Sequence, residues 1–345
     1  MKIRMKAYLN KMVLLLALAG AVNFAILAQA KAKTDCPEET AKLAKFVEAK
    51  VEAIPPVEKA IASDARPTVS FCVSEGSVSV RGWRRNEVRA LVEDGKLGFK
   101  VLKRNADKAA SWLTIVGFDP KEPVKPGQFR RNECLSGSNI EIEVPQGAVV
   151  DITSRNANFK VESVAKIKVA NVNGDVLIRD VREEAEISSL AGNVVAEDSI
   201  GKIKLKSTTG NVFGIRLKPL NDTDSLSANS DSGNVTLQDV AHARIAGGSS
   251  NSNLNYFGSV VAGGVYDFKT VTGAVTLFLP LKSSFQLSAT TNSTLQTNLP
   301  SFKPTLQSKP GQTPRRIVGV YGDGDATINL VSFGGALRLQ KQQIQ

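Results

Sequence analysis

Between Val164 and Lys218, apolar and polar residues alternate with a period of two inside a longer period of eighteen. Three turn-like segments mark the longer period: Asn173-Gly174-Asp175-Val176, Ala191-Gly192-Asn193-Val194 and Thr209-Gly210-Asn211-Val212. Ile167 and Val169, Ala185 and Ile187, and Ile203 and Leu205 stand seven and five residues before the three glycines. The short period predicts strands with one apolar face, and the fixed long period predicts that one repeat stacks on the next. In that register the polar positions form two outward columns, Lys166–Glu184–Lys202 and Lys168–Glu186–Lys204. Neighbouring strands lie about 4.8 Å apart, where opposite charges contribute roughly 0.2–1 kcal/mol per pair. A slip of one residue would turn the charges into the core. The columns neutralise themselves, so they read as a zipper that sets register rather than as a ligand stripe.

Looser copies extend the pattern. Ser232-Gly233-Asn234-Val235 and Thr272-Gly273-Ala274-Val275 repeat the turn, so Gly174, Gly192, Gly210, Gly233 and Gly273 are structural turn residues. Asn251-Ser252-Asn253-Leu254 is a turn that has lost its glycine. The turns are rich in Asn and Ser, whose side chains bond to neighbouring amides and tolerate left-handed backbone. Stacked, they predict polar ladders rather than catalysis. About nine repeats fit between residue 159 and the C-terminus, and none can bury its apolar positions alone.

Upstream, Val69-Ser70-Phe71-Cys72-Val73 and then Val78 and Val80 also alternate as strands. Residues 31–67 read as a helix and a linker. Thr34 or Asp35 caps the helix, Leu43, Phe46, Val47, Val51 and Ile54 form its stripe, and Pro55-Pro56 stops it. The helix is placed to cover an open end of the stack. Residues 68–345 form the repeat domain, interrupted by an exposed insertion at about 119–138, and Pro300 to Arg316 read as a loop bulging from the stack. The expected fold is all-β, a single-stranded β-helix or solenoid of 18-residue coils preceded by a short N-terminal helix.

Composition adds compartment and charge. Lys2, Arg4, Lys6 and Lys11, an apolar run from Met12 to Leu27 and Ala28-Gln29-Ala30 form a secretory signal over residues 1–30. The expected location is therefore periplasmic, cell-surface or extracellular. The formal net charge is +11. Clusters at Arg81, Arg84 and Arg85 and at Arg130 and Arg131 form the candidate basic binding surface, toward an envelope polymer, an anionic membrane surface or another envelope protein. Export and the low aromatic content argue against nucleic acid. An oxidising compartment allows a disulfide. Cys72 lies on the polar face of its strand, which favours a Cys72–Cys134 bridge to a covering segment.

Several segments together resemble the putative-adhesin β-repeat proteins, a bacterial family of exported or membrane-associated chains. They are Gly76-Ser77-Val78-Ser79-Val80-Arg81-Gly82-Trp83, Ile140-Glu141-Ile142-Glu143-Val144-Pro145-Gln146-Gly147, the Gly-Asp/Asn-Val turns from 174 to 235, and Gly322-Asp323-Gly324-Asp325. The resemblance covers about residues 69 to 340, and it implies a β-solenoid with no assigned activity.

Catalytic chemistry finds little purchase. The single histidine, His242, has no partner in sequence and reads as a surface residue. Asp175, Asp180, Asp198 and Asp231 are scattered, with Arg179, Arg182 and Arg216 nearby. Asp323 and Asp325 are too few for a strong calcium site and read as a turn. No catalytic, metal or cofactor residue is named, and no cofactor is expected. The expectation is a non-enzymatic exported scaffold or adhesin-like binding protein. A carbohydrate-cleaving β-helix is the alternative, since such enzymes line stacked strands with carboxylates.

Overall fold

A computed structural model describes residues 55–121, 133–309 and 311–342. The leader at 1–30, the helix before Pro55, Cys36, Arg130 and Arg131 lie outside the described residues. The described chain is all-β, with 24 strands in one hydrogen-bonded network and no helix among the described residues.

The first six strands are β1 (Val57–Trp83), β2 (Glu87–Val92), β3 (Gly98–Arg104), β4 (Ala110–Val116), β5 (Leu135–Pro145) and β6 (Val149–Glu162). Longer and shorter strands then alternate. The longer ones are β7 (Lys166–Asn173), β9 (Glu184–Ala191), β11 (Lys202–Ser207), β13 (Ser225–Ser230), β15 (Arg244–Ser249) and β17 (Val265–Thr270). They pair in parallel in that order. The shorter ones, β8 (Val176–Arg179), β10 (Val194–Glu197), β12 (Val212–Ile215), β14 (Val235–Gln238), β16 (Leu254–Phe257) and β18 (Val275–Leu279), form a second parallel ladder. Long β6 supplies both ladders, pairing with β7 through its first half and with β8 through its second. A third, shorter line of backbone bonds joins the earlier repeats, as in Ile200 N–H to Val181 O and Lys218 N–H to Ser199 O.

The register is the one the charge columns require. Lys166, Glu184 and Lys202 are successive partners, and so are Lys168, Glu186 and Lys204. Glu184 lies 3.3 Å from Lys166 and 3.8 Å from Lys202, and Glu186 lies 2.8 Å from Lys204. Inward positions of the longer strands read apolar, apolar, polar. Ile203, Leu205 and Ser207 are buried, as are Leu226, Ala228 and Ser230. The buried hydroxyls pin the glycine turns: Ser207 donates to Gly192 O (2.8 Å) and accepts from Gly210 N–H (2.9 Å). Buried polar groups need such partners.

The turn glycines are demanded by close approach more than by backbone dihedral. Gly174 and Gly192 have φ of 111° and 141°, but Gly210, Gly233 and Gly273 are not in the positive-φ region. What they share is a carbonyl from the turn below: a Cβ on Gly210 would lie 1.9 Å from Gly192 O. The Asn residues of these turns are not left-handed either. They cap amides instead. Asn158 Oδ1 accepts from Asp175 N–H, Asp175 Oδ1 from Asn193, Asn193 Oδ1 from Asn211, Asn211 Oδ1 from Asn234, and Asn234 Oδ1 from Asn253. Left-handed backbone sits at another corner, at Ser163, Asp180, Asp198, Arg216 and Asp239.

Both ends depart from the expected layout. Residues 57–67 are not a linker but the start of β1, whose Val57–Ala62 stretch pairs antiparallel with β2. Lys59 bridges Asp119 at 2.8 Å and Arg66 binds Glu183 through both carboxylate oxygens. The stretch lacks strong alternation, so a distant partner rather than local pattern makes it a strand. The 119–138 insertion is shorter than expected, because residues from Leu135 onward belong to β5. Val73 and Leu135 are backbone partners. Cys72 and Cys134, beside them, form a disulfide with Cα atoms 4.6 Å apart.

At the other end come β19 (Phe285–Thr291), β20 (Leu295–Thr297), β21 (Thr305–Leu306), β22 (Arg315–Tyr321), β23 (Ala326–Ser332) and β24 (Leu337–Lys341). The last repeat in sequence is not last in space. β23 inserts between β17 and β19, and β24 between β18 and β20, all parallel. The segment from Pro300 to Arg316 is no simple loop: β21 and β22 lie antiparallel against the end of the first ladder, β22 pairing with β19. An exposed sheet end needs cover, and among the described residues antiparallel strands supply it.

Candidate functional site

The expected basic surface is partly cancelled by register. Arg81 is the backbone partner of Glu143 on one side and Glu162 on the other. Arg84 and Arg85 are exposed in the turn after β1. The guanidinium of Arg85 lies 5.0 Å from the centroid of the Trp83 ring, whose Nε1–H donates to Glu87 O at 2.8 Å. A cation held over an aromatic face in this way is part of the rim's own packing. Of the five arginines, Arg81, Arg84 and Arg85 are exposed in the described part, Arg81 with Glu143 and Glu162 on its neighbouring strands.

Of the scattered carboxylates, Asp180 and Asp198 share the left-handed corner, where they are already occupied. Asp198 accepts two bonds from Arg216 (2.6 and 2.9 Å), and Asp180 accepts from Arg182 and from Ser163 Oγ. The bond from Arg182 holds the Asp180 carboxyl below its usual range, and Arg216 does the same for Asp198. Carboxyls held ionised serve poorly as proton donors. Among the described residues no group of three or more His, Cys, Asp or Glu side chains is placed to hold a metal.

His242 is not at the surface. It is fully buried, with Nε2 2.8 Å from Gly201 O and Nδ1 without a partner among the described residues. Burial pushes its pKa down, and the bond to Gly201 opposes that shift. A carbonyl oxygen can only accept, so Nε2 is the donor and the buried ring is a neutral imidazole. The lone histidine is a core residue.

A concave feature lies farther along the first ladder. Asn229, Gly248, Lys269 and Val331 are outward-facing partners on successive strands. Asp231, Ser250, Val271 and Phe333 lie just beyond them on the turn. Gly248 has no side chain, so a hollow of about 290 Å³ opens between its neighbours. A Cβ there would meet Asn229 Oδ1 at 3.1 Å, which places that oxygen at the hollow's floor. Gly247 beside it faces inward, where a Cβ would crowd Leu254 and Phe268. Sequence reasoning missed this hollow. The signal was the Gly247-Gly248 pair in a strand, since interior glycines often mark a close approach. The second ladder carries another missed feature, Phe257 and Phe278, partly exposed and stacked at 4.3 Å.

No protein-family model matches the chain, and neither does any curated protein sequence. The resemblance to the putative-adhesin β-repeat family therefore has no family match beneath it. Among solved structures, one described as a putative cell adhesion protein from Clostridium sporogenes is 12% identical, covering 84% of this chain and 100% of that one at a TM-score of 0.25. A putative lipid binding protein from Parabacteroides distasonis is 13% identical over 82% and 96% of the two chains, at 0.42. A putative adhesin from Parabacteroides merdae is 9% identical over 82% and 95%, at 0.38. These likenesses are too low to carry a functional argument.

Proposed function

We propose that this chain is an exported, non-enzymatic β-solenoid that serves as a cell-envelope scaffold or adhesin-like binding protein. Its eighteen-residue repeats would wind as single coils, each giving one strand to each ladder. The carrying observation is the unbroken Asn and Asp amide-capping ladder from residue 158 to residue 253. It commits the turn side chains to holding repeats together, so those polar residues are structure rather than reaction machinery. The basic, apolar start of the chain supports export. Excess positive charge supports partners of acidic character, such as an envelope polymer, an anionic membrane surface or another envelope protein.

The alternative, a polysaccharide-cleaving enzyme, needs one protonated and one free carboxyl facing a groove. Asp180 and Asp198 are instead paired with arginines, which favours the binding role. The test is to incubate the purified mature chain with envelope glycans and follow both retention and products. Retention with no new reducing ends is expected. Steady release of shorter glycans would overturn the non-enzymatic reading.

A further inference from the structure

Resting on that binding role, we infer that the hollow over Gly248 is a subsite for a carboxylated sugar unit of an acidic polysaccharide. The missing side chain leaves two banks roughly 10 Å apart, two strand spacings. One bank carries Asn229 and Asp231, and the other Lys269, Val271 and Phe333. Its volume of about 290 Å³ is near the lower bound of ~300 Å³ for small-ligand sites, enough for a single ring.

The banks differ in chemistry, and the ligand class follows from the difference. Val271 and Phe333 are 50% and 44% exposed, a large apolar presence for an outward face, and they suit the C–H face of a pyranose. Asn229 Nδ2 is engaged by Ser227 Oγ at 2.9 Å, which orients its Oδ1 to accept from a sugar hydroxyl over Gly248. Asp231 is exposed and offers a second acceptor on the same bank. Lys269 has no carboxylate in ion-pair range among the described residues; ion pairing there ends at Arg216. An ammonium beside a one-ring hollow selects a carboxylate on that ring. Carboxylate toward Lys269 and hydroxyls toward Asn229 and Asp231 keep the ligand's charge away from Asp231. Beyond the hollow, outward Ser227 and Ala246 are small, and Asp267 in the same row is held by Asn329 Nδ2 at 2.8 Å.

Titration of the mature protein with soluble polygalacturonate, against neutral dextran as the control polymer, tests this at physiological salt. Polygalacturonate should bind at least about tenfold more tightly, as one charge-assisted contact accounts for. Phe333→Ala and Lys269→Gln should each weaken it about tenfold, and Gly248→Leu, which fills the hollow, should abolish it. Lys204→Gln, whose lysine is already paired with Glu186, should change it less than twofold. Thermal melting checks that Gly248→Leu still folds; Phe333→Ala and Lys269→Gln leave the proposal falsifiable if it does not. Equal binding of dextran would overturn the carboxylate assignment. Unchanged binding by Phe333→Ala and Lys269→Gln would overturn the site while leaving the binding role standing. A wild-type chain that ignores polygalacturonate but is retained on envelope material would overturn the ligand class alone.

Discussion

The repeats before Arg216 and those after it solve the same stacking problem differently. In the early ones the amide-capping bonds join residues 18 apart, and the outward faces carry ion pairs up to Arg216. In the later ones the spacings become 23, 19 and 21, and among the described residues no ion pair joins residues beyond Arg216. The core changes as well. From Val164 to Val212 the buried apolar residues are Val, Ile, Ala and Leu, whereas Tyr256, Tyr266, Phe268 and Phe285 fill the later interior. Their hydroxyls are satisfied: Tyr256 donates to Ser259 O at 2.7 Å and Tyr266 accepts from Val261 N–H at 2.7 Å. Regular repeats are held by identical neighbours. Irregular ones are held by large side chains fitted to one place, and that releases the outward face for hollows such as the one at Gly248.

If so, truncating an aromatic in the later part should hurt most. Phe268→Ala should cost about 4 kcal/mol, read as a fall in urea midpoint. A loss nearer that of a surface substitution would mean the later core is not the anchor. In the early part the tightest constraint is the turn. Gly210→Ala puts a Cβ against Gly192 O and should cost about 3 kcal/mol through steric overlap between repeats. Removing one capping side chain is milder. Asn193→Ala deprives Asn211 of its Oδ1 partner and should cost about 1 kcal/mol. The zipper contributes least per pair. Lys204→Gln removes an exposed pair and should cost at most about 0.5 kcal/mol, a difference that vanishes in high salt. A large, salt-resistant loss would show that the charges hold stability and not only register.

His242 sharpens the comparison through pH. Its folded pKa lies below the ordinary 6.5, so below that value the unfolded chain binds more protons. Stability should be full above pH 6.5 and fall as the pH drops toward the folded pKa. His242→Gln should flatten this part of the profile. An unchanged slope would mean that the buried ring is not the group responsible.

Much of the early half was readable from sequence. Alternation named the inward residues, the eighteen-residue period named the partners, and opposite charges named the register. The turn glycines were readable as turns, but not the reason for them, because a carbonyl approaching from the repeat below is a contact between repeats. The candidate hollow was not readable. Two adjacent glycines in a strand look alike, and only stacking decides that Gly247 makes room for Phe268 while Gly248 leaves a gap outside.

By itself, then, the sequence determined the all-β character, the pairing of each regular repeat with the next, and the polar ladders. These depend on side-chain alternation and on neighbours one period away, which the chain states residue by residue. Tertiary structure alone decided that β23 and β24 enter ahead of β19 and β20, that residues 57–67 become strand, that antiparallel strands cover the first ladder's end, and that His242 is buried. Any strand with the same inward pattern can satisfy the same ladder. The choice among such partners rests on the summed packing of distant segments, which no local pattern encodes.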